Sequence, residues 1–416
     1  MKVYKFGGAS VKDAENVKNV GEVLRTVGYA DCLLIASAMG KTTNALEVVV
    51  DNYFQYPFDL DKSVDLVKAY HLAILNDLFP GNHDVYQALE EQFESLTSFL
   101  AHNKSPNYNF VYDQIVSYGE LLSTVILHHY LQLCGIGNTW IDARNLIKTD
   151  LTYRDANVQW DLTCAAITQT IDKKELYITQ GFIGSDYNGF STTLGREGSD
   201  YSAAIFAYAL NAESVTIWKD VPGVLNADPR YFEETTLLEQ ISYQEAIELA
   251  FYGASVIHPK TLQPLRQKEI PLYVKSFINP TLGGTSVSKG AHLKPAIPCF
   301  IVKKNQLLIS LSSKDFSFIM EQNISDIFKL FGEYNIKVNV IQNSAISFSV
   351  CVEDKFNHFE ELRQKLNAHY RVSYNENVSL YTIRHFDEAS ADRILTDKTL
   401  LLKQVNRETM QMVMKE

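Results

Sequence analysis

A short apolar strand, an amphipathic helix and a second apolar strand fill the first 37 residues, and that order leaves few folds open to the chain. Residues 3–6 and 32–37 read as buried strands, and between them Ala14, Val17, Val20 and Leu24 recur at helical spacing. A helix that carries the chain back to begin a neighbouring strand in the same direction makes a βαβ unit, and hence a mainly parallel sheet sandwiched by helices. Strand signals return at residues 139–141, 176–180, 214–218 and 272–275, each near a Gly, Asp or Lys. Open sheets of this α/β class bind ligands beyond the carboxyl ends of their strands, so those flanking residues are the first place to seek function.

From about residue 59 to 135 the pattern turns helical, with long periodic stretches at 64–75, 86–100 and 110–133. This block reads as a helical insertion on the sheet. Ser242 and Glu245 stand at capping-box spacing before a further helix, with Gly253 as its stop. Gly and Pro crowd residues 280–298 and mark a boundary, which gives a first domain over 1–290 and a second over 300–416. In the second, strand 307–311, helix 324–331, strands 337–341 and 346–352, helix 356–366 and strand 378–383 follow the β-α-β-β-α-β order of a ferredoxin-like (α+β) unit. A shorter strand-helix-strand over 378–385, 388–395 and 400–414 reads as a truncated copy of that unit.

A net charge of −11 disfavours nucleic acid and anionic membranes as partners. No apolar run approaches the ~20 residues of a membrane span, and a cytoplasmic protein is expected. The five cysteines form no C-x-x-C pair and the ten histidines are scattered, so reduced thiols and no structural zinc are expected.

An anion bound by so acidic a chain must meet a local concentration of cations, and three segments offer one. The first strand runs into Lys5-Phe6-Gly7-Gly8-Ala9-Ser10, where glycines admit phosphate oxygens to the backbone, a following helix start adds its positive end, and Lys5 adds a full charge. Residues 193–202 carry Arg196 between Gly195 and Gly198, with Ser199 or Asp200 able to cap the next helix. The third segment runs from Lys219-Asp220 through a Pro-Gly turn to Asp228-Pro229-Arg230, whose lysine and arginine can straddle a polyphosphate. Gly184 and Gly189 have Walker A spacing but are followed by Phe190-Ser191, and no G-x-G-x-x-G opens a helix.

With Ser37 to Asn44, Ser117-Tyr118-Gly119-Glu120 and the segment 251–259, these motifs stand in the order found in aspartokinases, and the chain resembles that branch of the amino-acid kinase family to about residue 285. The later part resembles the family's paired ACT regulatory domains. The resemblance implies transfer of the γ-phosphoryl of ATP, with Mg²⁺ carried by the nucleotide, to the side-chain carboxylate of L-aspartate. It puts Lys5, Gly7, Gly8, Lys219, Asp220, Leu225, Arg230 and Ser255 around ATP. Ser37, Thr43, Glu120 and Arg196 would hold aspartate, and Lys5, Arg196 and Asp200 would act at the transferring group. It also implies a homodimer and an amino-acid effector at the ACT region.

The residue types suit that chemistry. A carboxylate acceptor, with a pKa of about 3.9, needs no general base, only neutralisation of the charge it meets as it approaches a polyanion. Ala9, Leu225 and Ser255 depart from the residues usual in relatives, which puts individual ATP contacts in doubt. Asn339 and Ala345 stand where lysine-sensitive relatives often carry acids, so a weak response to lysine is expected. Two alternatives stay open: an amino-acid kinase for another acceptor, and a non-catalytic amino-acid-sensing subunit.

Overall fold

The computed structural model describes residues 1–254, 257–396 and 398–415. They divide into two compact units, the first holding residues 1–224, 237–250 and 255–295 and the second 225–236, 251–254 and 296–416.

The first unit is built on β1 (Lys2–Phe6), β2 (Cys32–Ala36), β3 (Thr139–Ile141), β4 (Tyr177–Gln180), β7 (Ser214–Lys219), β8 (Gln240–Ser242), β9 (Leu272–Ser276) and β10 (Thr285–Ser288), with β5 (Ile183–Ser185) and β6 (Ser191–Thr193) as a separate hairpin. The sheet order is β3-β4-β2-β1-β7-β9-β10-β8, and every pair except β9 with β10 is parallel. β2 is buried at every position, the signature of a strand covered on both faces. Strands after β1 go first to one side of it, as β2, β4 and β3, and later to the other, as β7 onward. The crevice beyond β1 and β7 is therefore a topological switch point, the usual place for a ligand.

Helices α1 (Ala14–Val27), α2 (Thr42–Gln55), α3 (Leu60–Leu78), α4 (Val85–His102), α5 (Tyr108–Val116), α6 (Tyr118–Leu133), α7 (Trp160–Thr170), α8 (Gly198–Leu210), α9 (Tyr243–Tyr252) and α10 (Pro259–Gln267) complete this unit's layers, α9 ending at the junction with the second. The helical block begins earlier than its pattern suggested, at Thr42, and the stretch 110–133 is two helices. The join is at Ser117, whose hydroxyl turns back onto the Gln114 carbonyl at 2.9 Å. Two residues on, Gly119 lies so close to β2's exit that a Cβ there would stand 3.0 Å from the Ala38 side chain. None of the described helices is long and apolar enough to cross a membrane.

Two expectations about helix starts are corrected. The glycines after β1 enter a single 3-10 turn, Gly8–Val11, and α1 starts only at Ala14, capped by Asp13. α8 is capped by neither Ser199 nor Asp200: its N-cap is Glu197, in the left-handed region at φ 54°, and both expected caps lie in the first turn. Gly8 has a different use. A Cβ there would sit 2.8 Å from the Ala38 carbonyl, so the exits of β1 and β2 can press together only over a glycine. Gly8→Ala is expected to cost about 1–3 kcal/mol in denaturant unfolding, the usual penalty of overpacking.

In the second unit, β11 (Cys299–Ser313), α11 (Glu321–Glu333), β12 (Lys337–Asn343), β13 (Ser347–Glu353), α12 (Phe359–His369) and β14 (Tyr370–Arg384) follow the ferredoxin-like order. α13 (Glu388–Leu395), β15 (Thr399–Val405) and β16 (Thr409–Lys415) extend the same antiparallel sheet to six strands, β12-β13-β11-β14-β16-β15. β14 is far longer than its apolar end at 378–383 indicated, because most of its first eight residues are exposed and carry no hydrophobic alternation. The stretch 400–414 is a hairpin of two strands.

Candidate active site

Parallel register sets the geometry of the site. Lys5 pairs with Ile35 of β2 and Ile217 of β7, so Lys5, Ser37 and Lys219 emerge at one end of three adjacent strands. The N-termini of three helices face the same crevice and bring Thr43 from α2, Glu120 from α6 and Gly198, Ser199 and Asp200 from α8. Aligned peptide dipoles make such ends favourable for anions. The resulting cavity, about 560 Å³, is lined by Lys5, Gly8, Ser37, Thr43, Glu120, Arg196, Asp200 and Lys219, all singled out from the sequence.

Asp200 is the electrostatic centre. Its carboxylate is buried, with one oxygen 2.6 Å from the Lys5 ammonium and the other 3.5 Å from that of Lys219. Burial alone would raise its pKa, but the charges of the two lysines, and the bonds they donate, hold it below the ordinary carboxylate value. Asp200 thus keeps two cations close together that would otherwise repel, and it aims them at the space beyond β1. The Lys5 ammonium also lies beside Gly7, 3.5 Å from where a Cβ would stand.

Glu120 lies in the same cavity with the opposite requirement. One carboxyl oxygen accepts the Ala38 N–H at 3.2 Å, while Oε2 is buried with no hydrogen-bond partner among the described residues. Desolvation pushes its pKa up to about 8, against the lowering by the Ala38 N–H and by Lys5. A buried carboxyl with an unused oxygen has the chemistry to pair with a cation.

The remaining expected residues do not line the cavity. Gly7 stays in the turn below it, where its carbonyl accepts the Ser10 N–H at 2.9 Å. Asp220 is exposed just after β7. Leu225 and Arg230 belong to the second compact unit, and the exposed Arg230 guanidinium grips Asp228 in a fork with contacts of 2.6–3.0 Å. Ser255 lies outside the described residues.

Sequence reasoning missed Tyr112, Arg154 and Phe182, which also line the cavity. The signal that could have found two of them is Asp113, an acid within the wholly buried stretch 111–116 of α5. Its carboxylate accepts the Arg154 N–H at 3.0 Å, the Thr193 N–H at 2.8 Å and the Thr193 hydroxyl at 2.8 Å. Desolvation still raises its pKa to about 7.

A parallel sheet whose switch point gathers two lysines on one carboxylate, helix N-termini and a separate buried carboxyl is the architecture of a small-molecule phosphotransferase. Residues 1–276 match the amino acid kinase family. Lysine-sensitive aspartokinase 3 of Escherichia coli (strain K12) is 30% identical over 393 residues, covering 92% of this chain and 86% of that protein. Chloroplastic aspartokinase 1 of Arabidopsis thaliana is 31% identical over 366 residues, covering 84% of this chain and 63% of the longer relative. Crystal structures of E. coli aspartokinase III, one with lysine and aspartate (T-state) and one with aspartate and ADP (R-state), match at TM-scores of 0.83 and 0.81. Both are 27% identical, cover 99% of this chain, and are themselves covered to 95% and 96%. The chain belongs to the amino acid kinase family, among its aspartokinases.

Proposed function

We propose that this protein transfers the γ-phosphoryl of ATP to the side-chain carboxylate of L-aspartate, giving 4-phospho-L-aspartate and ADP, the entry to lysine, threonine and methionine synthesis. The observation that carries the reading is the division of one cavity into two chemistries. The lysine pair on Asp200 suits a polyphosphate, and the partnerless oxygen of Glu120 suits the ammonium of an amino acid. Neither half alone would distinguish an amino-acid kinase from an anion-binding protein.

Lys5 and Lys219 face the phosphates, Lys5 placed to follow the transferring group as charge shifts from donor to acceptor. Arg196, with Ser37 and Thr43, holds the acceptor, whose carboxylate is already ionised and needs no base. No group of three or more acidic, His or Cys residues among the described residues could hold a metal, and the oxygens of Asp200 are committed to lysines. Mg²⁺ would enter as the nucleotide complex, as the family resemblance implies, and would neutralise phosphate charge. Gly7, Gly8, Asp220, Leu225, Arg230 and Ser255 remain candidates for nucleotide contacts, and the setting is cytoplasmic.

The second unit is a candidate effector and dimer module. Asn339 accepts from Lys303 Nζ at 2.9 Å and donates to Gln306 at 2.8 Å, so its amide is already used within the sheet. That supports a weak response to lysine. The test of activity is ADP release in ATP-Mg²⁺ against a panel of acceptors, where aspartate alone is expected to stimulate and equal rates with glutamate would refute the assignment.

Glu120 gives this reading a pH signature. A carboxyl raised from 4.5 to about 8 is mostly protonated at pH 7 in the free protein. Its stabilising contribution is complete below pH 4.5 and is lost as pH rises through 8. An incoming ammonium favours the ionised form, so aspartate binding at pH 7 should release close to one proton, and the KM for aspartate should fall as pH approaches 8. Calorimetry in buffers of different ionisation enthalpy checks the proton. In Glu120→Gln the proton release should vanish and the KM should rise by about 10–100-fold, the cost of one lost buried charge pair.

A further inference from the structure

We propose that Arg154 is a second arm of the subsite for the acceptor's α-carboxylate, closing on it together with Arg196. The inference rests on the aspartate kinase reading and names a residue that the family resemblance left unassigned.

Arg154 is held in place at a backbone cost. It sits at φ 71°, in the left-handed region that a side-chain-bearing residue seldom adopts. Asp113 compensates by accepting its N–H on both carboxylate oxygens, at 3.1 and 3.0 Å, and the same carboxylate binds Thr193. Thr193 lies two residues before Gly195, and a Cβ on Gly195 would stand 3.3 Å from the Arg154 carbonyl. One buried acid therefore ties together the two loops that carry Arg154 and Arg196.

The guanidinium is placed as deliberately as the backbone. It lies over the Tyr112 ring at 4.3 Å from its centroid, and the Tyr112 hydroxyl is fixed to Glu47 of α2 at 2.8 Å. Among the described residues no carboxylate lies within ion-pair distance of it, in a chain of net charge −11. A stacked, pre-oriented guanidinium with unused donors at the edge of a binding cavity is suited to grip a planar carboxylate.

Its position decides which carboxylate. Arg154 is anchored on α5 through Asp113 and Tyr112; α5 runs through Ser117 into the first turn of α6 with Glu120, and Tyr112 is tied to Glu47 of α2, which carries Thr43. In an amino acid the α-carboxylate shares a carbon with the ammonium, so it must lie on the Glu120 side. The β-carboxylate must instead reach the phosphate near Lys5 and Lys219.

The test compares aspartate with its α-amide, which keeps the ammonium and the β-carboxylate but lacks the α-carboxylate charge. Arg154→Gly suits the left-handed backbone and removes the whole side chain, with its guanidinium and its stacking on Tyr112, and Arg154→Lys restores a charge on the same stem. For Arg154→Gly, kcat/KM for aspartate is expected to fall about 30-fold, mostly in KM, with the KM for ATP unchanged. For the α-amide, followed as substrate or as competitive inhibitor, variant and wild type should agree within about twofold, and Arg154→Lys should recover part of the loss on aspartate. An equal loss on both compounds, or no loss on either, overturns the assignment of Arg154. A wild-type protein inactive on aspartate would instead overturn the kinase reading beneath it.

Discussion

Replacing Lys5 with alanine is expected to lower kcat by at least about 10³-fold while leaving the protein folded, because the lost ammonium is one of the few cations placed to meet charge on the transferring phosphoryl. The side chain leaves β1 at its penultimate residue, and its buried ammonium contacts Asp200 and lies beside Gly7, so truncation removes the charge from the crevice and the nearer of Asp200's two cations. The strand itself is held by backbone ladders to β2 and β7 that do not depend on the side chain. Circular dichroism should therefore resemble wild type, while urea unfolding should show a loss of about 3–5 kcal/mol, because the buried Asp200 carboxylate keeps only Lys219. Steady-state kinetics at saturating ATP and aspartate read the defect, and near-normal turnover in a folded Lys5→Ala protein would contradict the role given to Lys5.

Asp200→Asn should be costly to both stability and activity. The substitution preserves shape but leaves two ammonium groups facing a neutral amide, and breaking one side of a buried charge cluster typically costs about 3–5 kcal/mol. The lower end is expected, because the Lys219 side chain is 21% exposed and water screens it. The sign with pH follows from the depressed pKa of Asp200. Its contribution to wild-type stability is present above pH 3.8 and lost as pH falls through the lower folded value. Chemical unfolding at pH 7 and pH 3 should therefore show a large gap between wild type and variant at neutrality that narrows in acid. Equal stability at pH 7 would mean that the lysines do not depend on Asp200.

How much of this could be read before the structure depends on how local each signal is. Lys5, Glu120, Arg196, Asp200 and Lys219 each sit in a motif whose glycines or helix start mark it out, and parallel register then gathers them although they span more than two hundred residues. Arg154 sits in a loop with no periodic pattern, and its reason for being there is Asp113, forty-one residues earlier, an interaction that no spacing rule encodes. In sequence Gly8 marks access for a phosphate, whereas in the fold the close approach of Ala38 requires it in any case. Arg230 looked like a partner of Lys219 because eleven positions separate them in one segment, yet a boundary between compact units falls at residue 224 and Asp228 takes the guanidinium. In the second unit the strand order was legible from alternation, and the exposed half of β14 was not.

Phosphoryl transfer to the aspartate side chain is tested most directly by trapping the product. With purified protein, ATP-Mg²⁺, aspartate and hydroxylamine, aspartyl hydroxamate should accumulate in step with ADP and vanish when aspartate is omitted. ADP formed without hydroxamate, or hydroxamate no greater with aspartate than with glutamate, would contradict the assignment.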